Sequence, residues 1–304
     1  MNFDFFTSVN PLVYRDFTAY AIPVYLLVIG IELFISAKEN LHIYEWRDSF
    51  ACIAMGLGSL LIGVVMKTAA FLGFTYLHQF AIFEIGHQWW AYLILFFADD
   101  FTFYWHHRLS HQVRILWAAH VNHHSSQKLN FAVALRQSWA ELLYKYFFWL
   151  WLPVLGFDPL MLLFMMSLNL IYQFFQHTQL VGKLGIIEWF FNTPSHHRVH
   201  HAVNIKYLDR NHAGTLIIWD RMFGTFQKEE ENDKPVYGIT NNINTFNPLE
   251  IATHEFKNIR KDVKKANSFS DKLKYIFFPP GWSHNGENKT SDFLRKKLIQ
   301  QTNF

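Results

Sequence analysis

The sequence predicts an all-α, polytopic membrane protein. It has about five transmembrane or membrane-embedded helices and a histidine-rich helical cap on the cytosolic side. Three observations predict this. Apolar runs of about twenty residues recur up to Phe175, long enough to cross about 30 Å of hydrocarbon at about 1.5 Å per helical residue. Aromatic residues reach 18% while charged residues stay at 17%. Twelve of the 17 histidines crowd between positions 106 and 212, many of them three or four residues apart, the spacing that shares a helix face. A mean hydropathy of +0.04 averages an apolar front with a charged tail.

The first spanning run is Phe17 to Ile35, interrupted by Pro23 and Glu32. Phe50 to Tyr76 is the second, with Gly56, Gly58, Ser59 and Gly63 suiting close helix contact in lipid. Trp89 to Trp105 is apolar until Asp99 and Asp100. Trp139 to Leu155 and Leu160 to Phe175 form a pair joined by a Gly156-Phe157-Asp158-Pro159 turn. With the N-terminus outside, Lys38, Arg47, Arg108, Arg114, Lys128 and Arg136 all fall inside, and the outer loops carry no Lys or Arg. The same topology brings every histidine cluster to the cytosolic face. The N-terminus has no basic region and no small-residue cleavage site, so no removable signal peptide is expected.

From Lys228 the composition changes. The tail holds 13 Lys/Arg and 10 Asp/Glu with no further spanning run. Its basic stretch Lys257 to Lys265 suits an anionic lipid surface or a solvated helix face. The chain thus divides into a transmembrane region (1–90), a histidine-bearing region (91–227) and a charged cytosolic tail (228–304). A net charge of +3 gives no case for nucleic acid. The single cysteine, Cys52, excludes an intrachain disulfide and a cysteine metal site.

The histidines form three sets: His107-x-x-x-His111, His120-x-x-His123-His124 and His197-x-x-His200-His201, with His177 and His212 beside them. Each H-x-x-H-H offers a same-face pair and an off-axis neighbour able to reach a second ion. Neutral imidazole is the commonest side-chain metal ligand. Eight or nine such ligands are too many for one ion and suit two. His106 and His196 adjoin better-placed ligands, and their role stays open; His42, His78, His87, His254 and His284 are isolated. Asp100 lies two helical turns before His107, placed to accept a hydrogen bond from a ligand ring. All-imidazole sites suit Zn, Cu, Fe or Ni. No H-E-x-x-H is present, which argues against a zinc protease, and no dinucleotide fingerprint is present.

From Asp100 to Phe226 the chain resembles the membrane fatty acid hydroxylase / sterol desaturase superfamily. The resemblance rests on Asp100-Phe101, Tyr104-Trp105, His107-Arg108, His111, the two H-x-x-H-H sets, Asn192 to His197, Asn211-His212 and Ile217 to Phe226. Ala134 to Ser138 and Ser195 to His201 are most similar to the alkylglycerol monooxygenase branch, in which Gln112 is a glutamate. The resemblance implies an O2-dependent oxidoreductase with two iron ions that attacks a C–H bond of a lipid drawn from the bilayer. It implies His107, His111, His120, His123, His124, His197, His200 and His201 as iron ligands, with His177 and His212 completing the set. Asp100, Gln112, Asn130 and Arg136 are expected to support those ligands. Electrons would come from a tetrahydropterin or an electron-transfer protein. The alternatives are a sterol or fatty-acyl desaturase, a zinc hydrolase, and a non-enzymatic metal-binding protein or transporter.

Overall fold

A computed structural model describes residues 17–302. The signal-peptide reading, and the start of the 1–90 region, rest on residues outside the described ones. Every regular element among the described residues is helical, and pairing is limited to isolated bridges such as Phe191 with Leu216.

Helix α1 (Phe17–Lys38) and helix α2 (Trp46–His78) are long and apolar enough to cross a membrane. Only 17% of each span is buried inside the protein. Leu26, Leu27, Ile31 and Phe34 of α1, and Leu61, Val64 and Val65 of α2, face outward. An apolar side chain that the protein leaves uncovered is what lipid solvates. Glu45 caps α2 by accepting from the Asp48 backbone N–H.

Helix α3 (Trp89–Gln112) changes character along its length. Trp89, Trp90, Leu93, Ile94 and Phe97 are exposed, whereas Asp99, Asp100, Tyr104, His106, His107, Ser110 and His111 are buried. Its far half is therefore the wall of a polar interior. Helix α4 (Arg114–His124) follows after a one-residue break and packs back on α3.

The run from Trp139 to Leu155 is not the single helix its hydropathy predicts. It is two 3-10 turns, Glu141–Leu143 and Lys145–Trp149, and a five-residue helix α5 (Trp151–Leu155). The indole N–H groups account for the bent path. Trp139 donates to the Met55 carbonyl (2.9 Å), Trp149 to Asp99 (2.7 Å) and Trp151 to Thr102 (3.2 Å), on two different helices. Gly156 ends α5 at φ +114°, where a Cβ would stand 2.0 Å from the Phe83 carbonyl oxygen. Helix α6 (Pro159–Phe174) starts from an Asp158 cap with Pro159 in its first turn.

Helix α6 runs parallel to α1. Phe164 meets Phe17 (4.9 Å between ring centres) and Phe174 stacks on Tyr25 (3.9 Å). The end of α1, the start of α2, the end of α3 and the end of α6 thus converge on one end of the bundle. There lie α4, the short helices α7 (Pro194–His200) and α8 (Ile218–Met222), and the tail helices α9 (Pro248–Lys265), α10 (Phe269–Phe277) and α11 (Ser291–Thr302). At the opposite end Ala70 and Phe74 pack with Ala91, Leu95, Leu152, Phe157 and Met161.

Candidate metal centre

Histidines from four segments meet in two buried groups. His107, His111, His120, His124 and His200 form the first; His123, His177, His197 and His201 form the second. Within each group the candidate nitrogens all lie within 4.8 Å of one another. The division follows helix geometry. In each H-x-x-H-H the i and i+4 rings go to one group and the i+3 ring to the other. On α4 the pair His120/His124 serves the first group and His123 the second. On α7 the pair His197/His201 serves the second and His200 the first. The groups share a wall where His124 stacks on His201 at 4.4 Å.

The outer nitrogens of five rings decide what the inner ones can do. Nδ1 of His107 donates to the His212 carbonyl (2.8 Å), Nδ1 of His177 to the Gln173 carbonyl (2.9 Å) and Nδ1 of His200 to the Arg210 carbonyl (2.9 Å). His111 donates to Asp209 (3.1 Å) and His120 to Glu141 (2.9 Å). A carbonyl or carboxylate oxygen only accepts, so each of these rings carries its proton on Nδ1 and points a bare Nε2 lone pair inward. His107 Nε2 and His120 Nε2 then face each other at 3.1 Å with no hydrogen between them. His111 Nε2 and His200 Nε2 are buried without any partner. Burial first, and the neighbouring imidazoles second, hold His107, His111, His123, His124, His197, His200 and His201 well below the ordinary histidine pKa. Burial takes His177 down to about 4.

Neutral imidazoles with converging lone pairs fit metal ions. The spacing fits as well. His120 to His124, His123 to His177, His177 to His197 and His197 to His201 stand 3.2, 3.0, 2.9 and 3.0 Å apart, Nε2 to Nε2. Two nitrogens about 2.1 Å from one ion lie about 3.0–3.4 Å apart for angles between a right angle and the tetrahedral angle, close to these separations.

His212 stands outside both groups. It is fully buried, its two ring nitrogens have no partner, and its ring centre is 4.9 Å from that of His111. Its backbone N–H donates to Asp220 (2.8 Å). Asp100 does not reach a ligand ring as expected. It accepts from the Thr215 and Leu216 N–H groups and from the Trp219 indole, because its place on α3 puts it beside segment 215–219 rather than beside the His107 ring. Asn130 likewise ties its own loop to the Ile43 carbonyl. Gln112, at the end of α3, makes no hydrogen bond to a histidine ring. Arg136 is buried and holds the turn after α4 through the Asn122 carbonyl (3.0 Å) and Ser125 (3.1 Å), with Asp48 of α2 at 2.9 Å. The carboxylates that do meet rings of the two groups, Asp209 and Glu141, were not expected from the sequence. Glu141 had one signal: a lone acid in an apolar run.

Residues 92–225 match the family model for fatty acid hydroxylase. The chain is 38% identical over 273 residues to alkylglycerol monooxygenase of Xenopus tropicalis and 36% identical over 272 residues to that of Homo sapiens, covering 88% of this chain in each case. It is to this fatty acid hydroxylase family that the histidine-bearing part of the chain is similar. The chain spans 60% of the length of those two relatives. It is also 27% identical over 244 residues to the ornithine lipid hydroxylase OlsE of Rhizobium tropici, covering 72% of this chain and 71% of the relative. No solved structure matches it. Both histidine groups draw their rings from inside the matched region.

Proposed function

We propose that the protein is a membrane-bound, O2-dependent di-iron monooxygenase that hydroxylates a C–H bond of a lipid. One observation carries this reading: nine buried imidazoles gather in two adjoining groups at one end of an apolar bundle, and His107 and His120 face each other with no hydrogen between their nitrogens. The names of two relatives, alkylglycerol monooxygenase and ornithine lipid hydroxylase, support this reading.

His107, His111, His120, His124 and His200 hold one ion in this reading, and His123, His177, His197 and His201 the other. Two irons, when bound, supply dioxygen reduction and the cleavage of an unactivated C–H bond, with electrons from a tetrahydropterin or an electron-transfer protein. The chain's own residues do the rest. The His212, Arg210 and Gln173 carbonyls, with Glu141 and Asp209, fix the tautomer and aim of five of the nine rings, His107, His200, His177, His120 and His111. Every donor is buried, and His111, His124, His200 and His201 also line a cleft that opens outward.

The donors cluster at one end of the helices rather than at their middle, which weighs against a transporter. The test is metal analysis of purified protein, then lipid mass spectrometry under labelled oxygen. Two irons per chain and one labelled oxygen atom in the product lipid are expected. Undiminished turnover without oxygen would sink the proposal.

A further inference from the structure

Between α6 and α7 the chain makes a loop, 181–191, whose side chains face outward almost without exception. Ile186 is 78% exposed, Trp189 63% and Phe190 59%, and Val181, Leu184, Ile187 and Phe191 are exposed beside them. So much contiguous apolar surface on a loop marks an interaction site. The one carboxylate in the loop turns the other way. Glu188 is buried and accepts from Ser195 (2.6 Å), Thr193 (3.0 Å) and the Leu184 N–H (3.0 Å), at the first turn of α7. Binding its only acid inward leaves the loop a purely apolar outer face, apart from Lys183.

The level of the loop identifies what covers it. Helices α1 and α6 run side by side in the same direction, and Thr178, four residues past α6, hydrogen-bonds Glu32 of α1. Glu32 lies inside the α1 span Tyr20–Lys38, six residues or about 9 Å from its end. The chain therefore enters this loop at the depth of the last turns of a membrane-crossing helix. Leu168 of α6 and Phe175 just beyond its end are also uncovered. Tryptophan and phenylalanine at that depth suit the boundary between head groups and acyl chains. The guanidinium of Arg221 lies 5.0 Å from the Trp189 ring, placing a cation where lipid phosphates run.

We infer that loop 181–191 is an interfacial anchor, with Ile186, Ile187, Trp189 and Phe190 embedded in the acyl chains of the bilayer. The inference does not depend on the metal or on the reaction. It places a lipid-immersed surface one short turn from the helix that bears His197, His200 and His201.

The test uses the full chain in nanodiscs of phosphatidylcholine and phosphatidylglycerol. An environment-sensitive fluorophore is attached at Ile186→Cys and, as a water-exposed control, at Lys297→Cys; Cys52 is buried and left in place. The label at 186 should emit to the blue of the control, be quenched by lipids carrying a doxyl group near the head group, and resist aqueous iodide. A label at 186 as open to iodide as the control would overturn the anchor. So would resistance to both quenchers together with a 186-to-186 disulfide cross-link, which would assign the face to a second copy of the chain. Phe190→Cys, labelled in the same way, guards against a local effect at one position.

Discussion

Glu141 meets the first histidine group from behind. Its carboxylate accepts from His120 Nδ1 at 2.9 Å, and its other oxygen lies 3.6 Å from His106 Nε2. A carboxylate behind a ligand imidazole fixes the ring's orientation and raises its basicity, and losing it typically lowers metal affinity about 10–100-fold. Glu141→Leu should therefore lose metal to a chelator faster than the parent, with Glu141→Gln between the two, since an amide oxygen still accepts. Equal metal retention in all three would deny Glu141 this role. Twenty-one positions separate Glu141 from His120. No helical period links them, which is why the histidine spacing was legible in the sequence and the carboxylate behind it was not. Asp100 illustrates the same limit: its spacing from His107 suggested a ring as its partner, but its partners, Thr215 to Trp219, lie over a hundred residues away.

At the scale of elements, α2 is the post to which the second histidine helix is tied. Asp48 accepts from Arg136 (2.9 Å) and Ser126 (2.5 Å), and Arg136 grips the turn at the end of α4. Removing one partner strands the other as a buried charge, at a cost of about 3–5 kcal/mol. Arg136→Met should therefore lower the thermal midpoint in detergent markedly, and Asp48→Asn on that background should recover part of the loss. Failure of the second change to restore anything would mean that the pair acts only through packing. Farther along α2, a Cβ on Gly58 would stand 2.6 Å from the Trp139 indole. Gly58→Leu should push that ring off the Met55 carbonyl and destabilise the protein by about 1–3 kcal/mol, the range for overpacking, as read by denaturant or thermal unfolding. Hydropathy made α1, α2 and α3 legible because an apolar helix needs no partner to declare itself. It misread 139–155 because it scores tryptophan as apolar and cannot see that three indole N–H groups must each find an acceptor on α2 or α3.

Across the whole molecule, the two histidine groups are not two independent modules. Helices α4 and α7 each send rings to both, so the helix pair and the two candidate sites form one unit. The convergence of α1, α3 and α6 on one end follows from alternating helix direction, and that much could be drawn from apolar runs and the placement of Lys and Arg. The partition of nine rings into five and four could not, because it depends on how α4 and α7 are rotated against each other. That rotation yields a prediction for the intact protein. His197→Ala removes a ring from the second group alone, and His200→Ala removes one from the first alone. Each should leave about one tightly held ion per chain, abolish turnover and lower the thermal midpoint, since an ion that binds only the folded state stabilises it. The double variant should bind no ion tightly. Two ions per chain retained in either single variant would mean that the groups exchange ligands freely and that the partition has no chemical consequence.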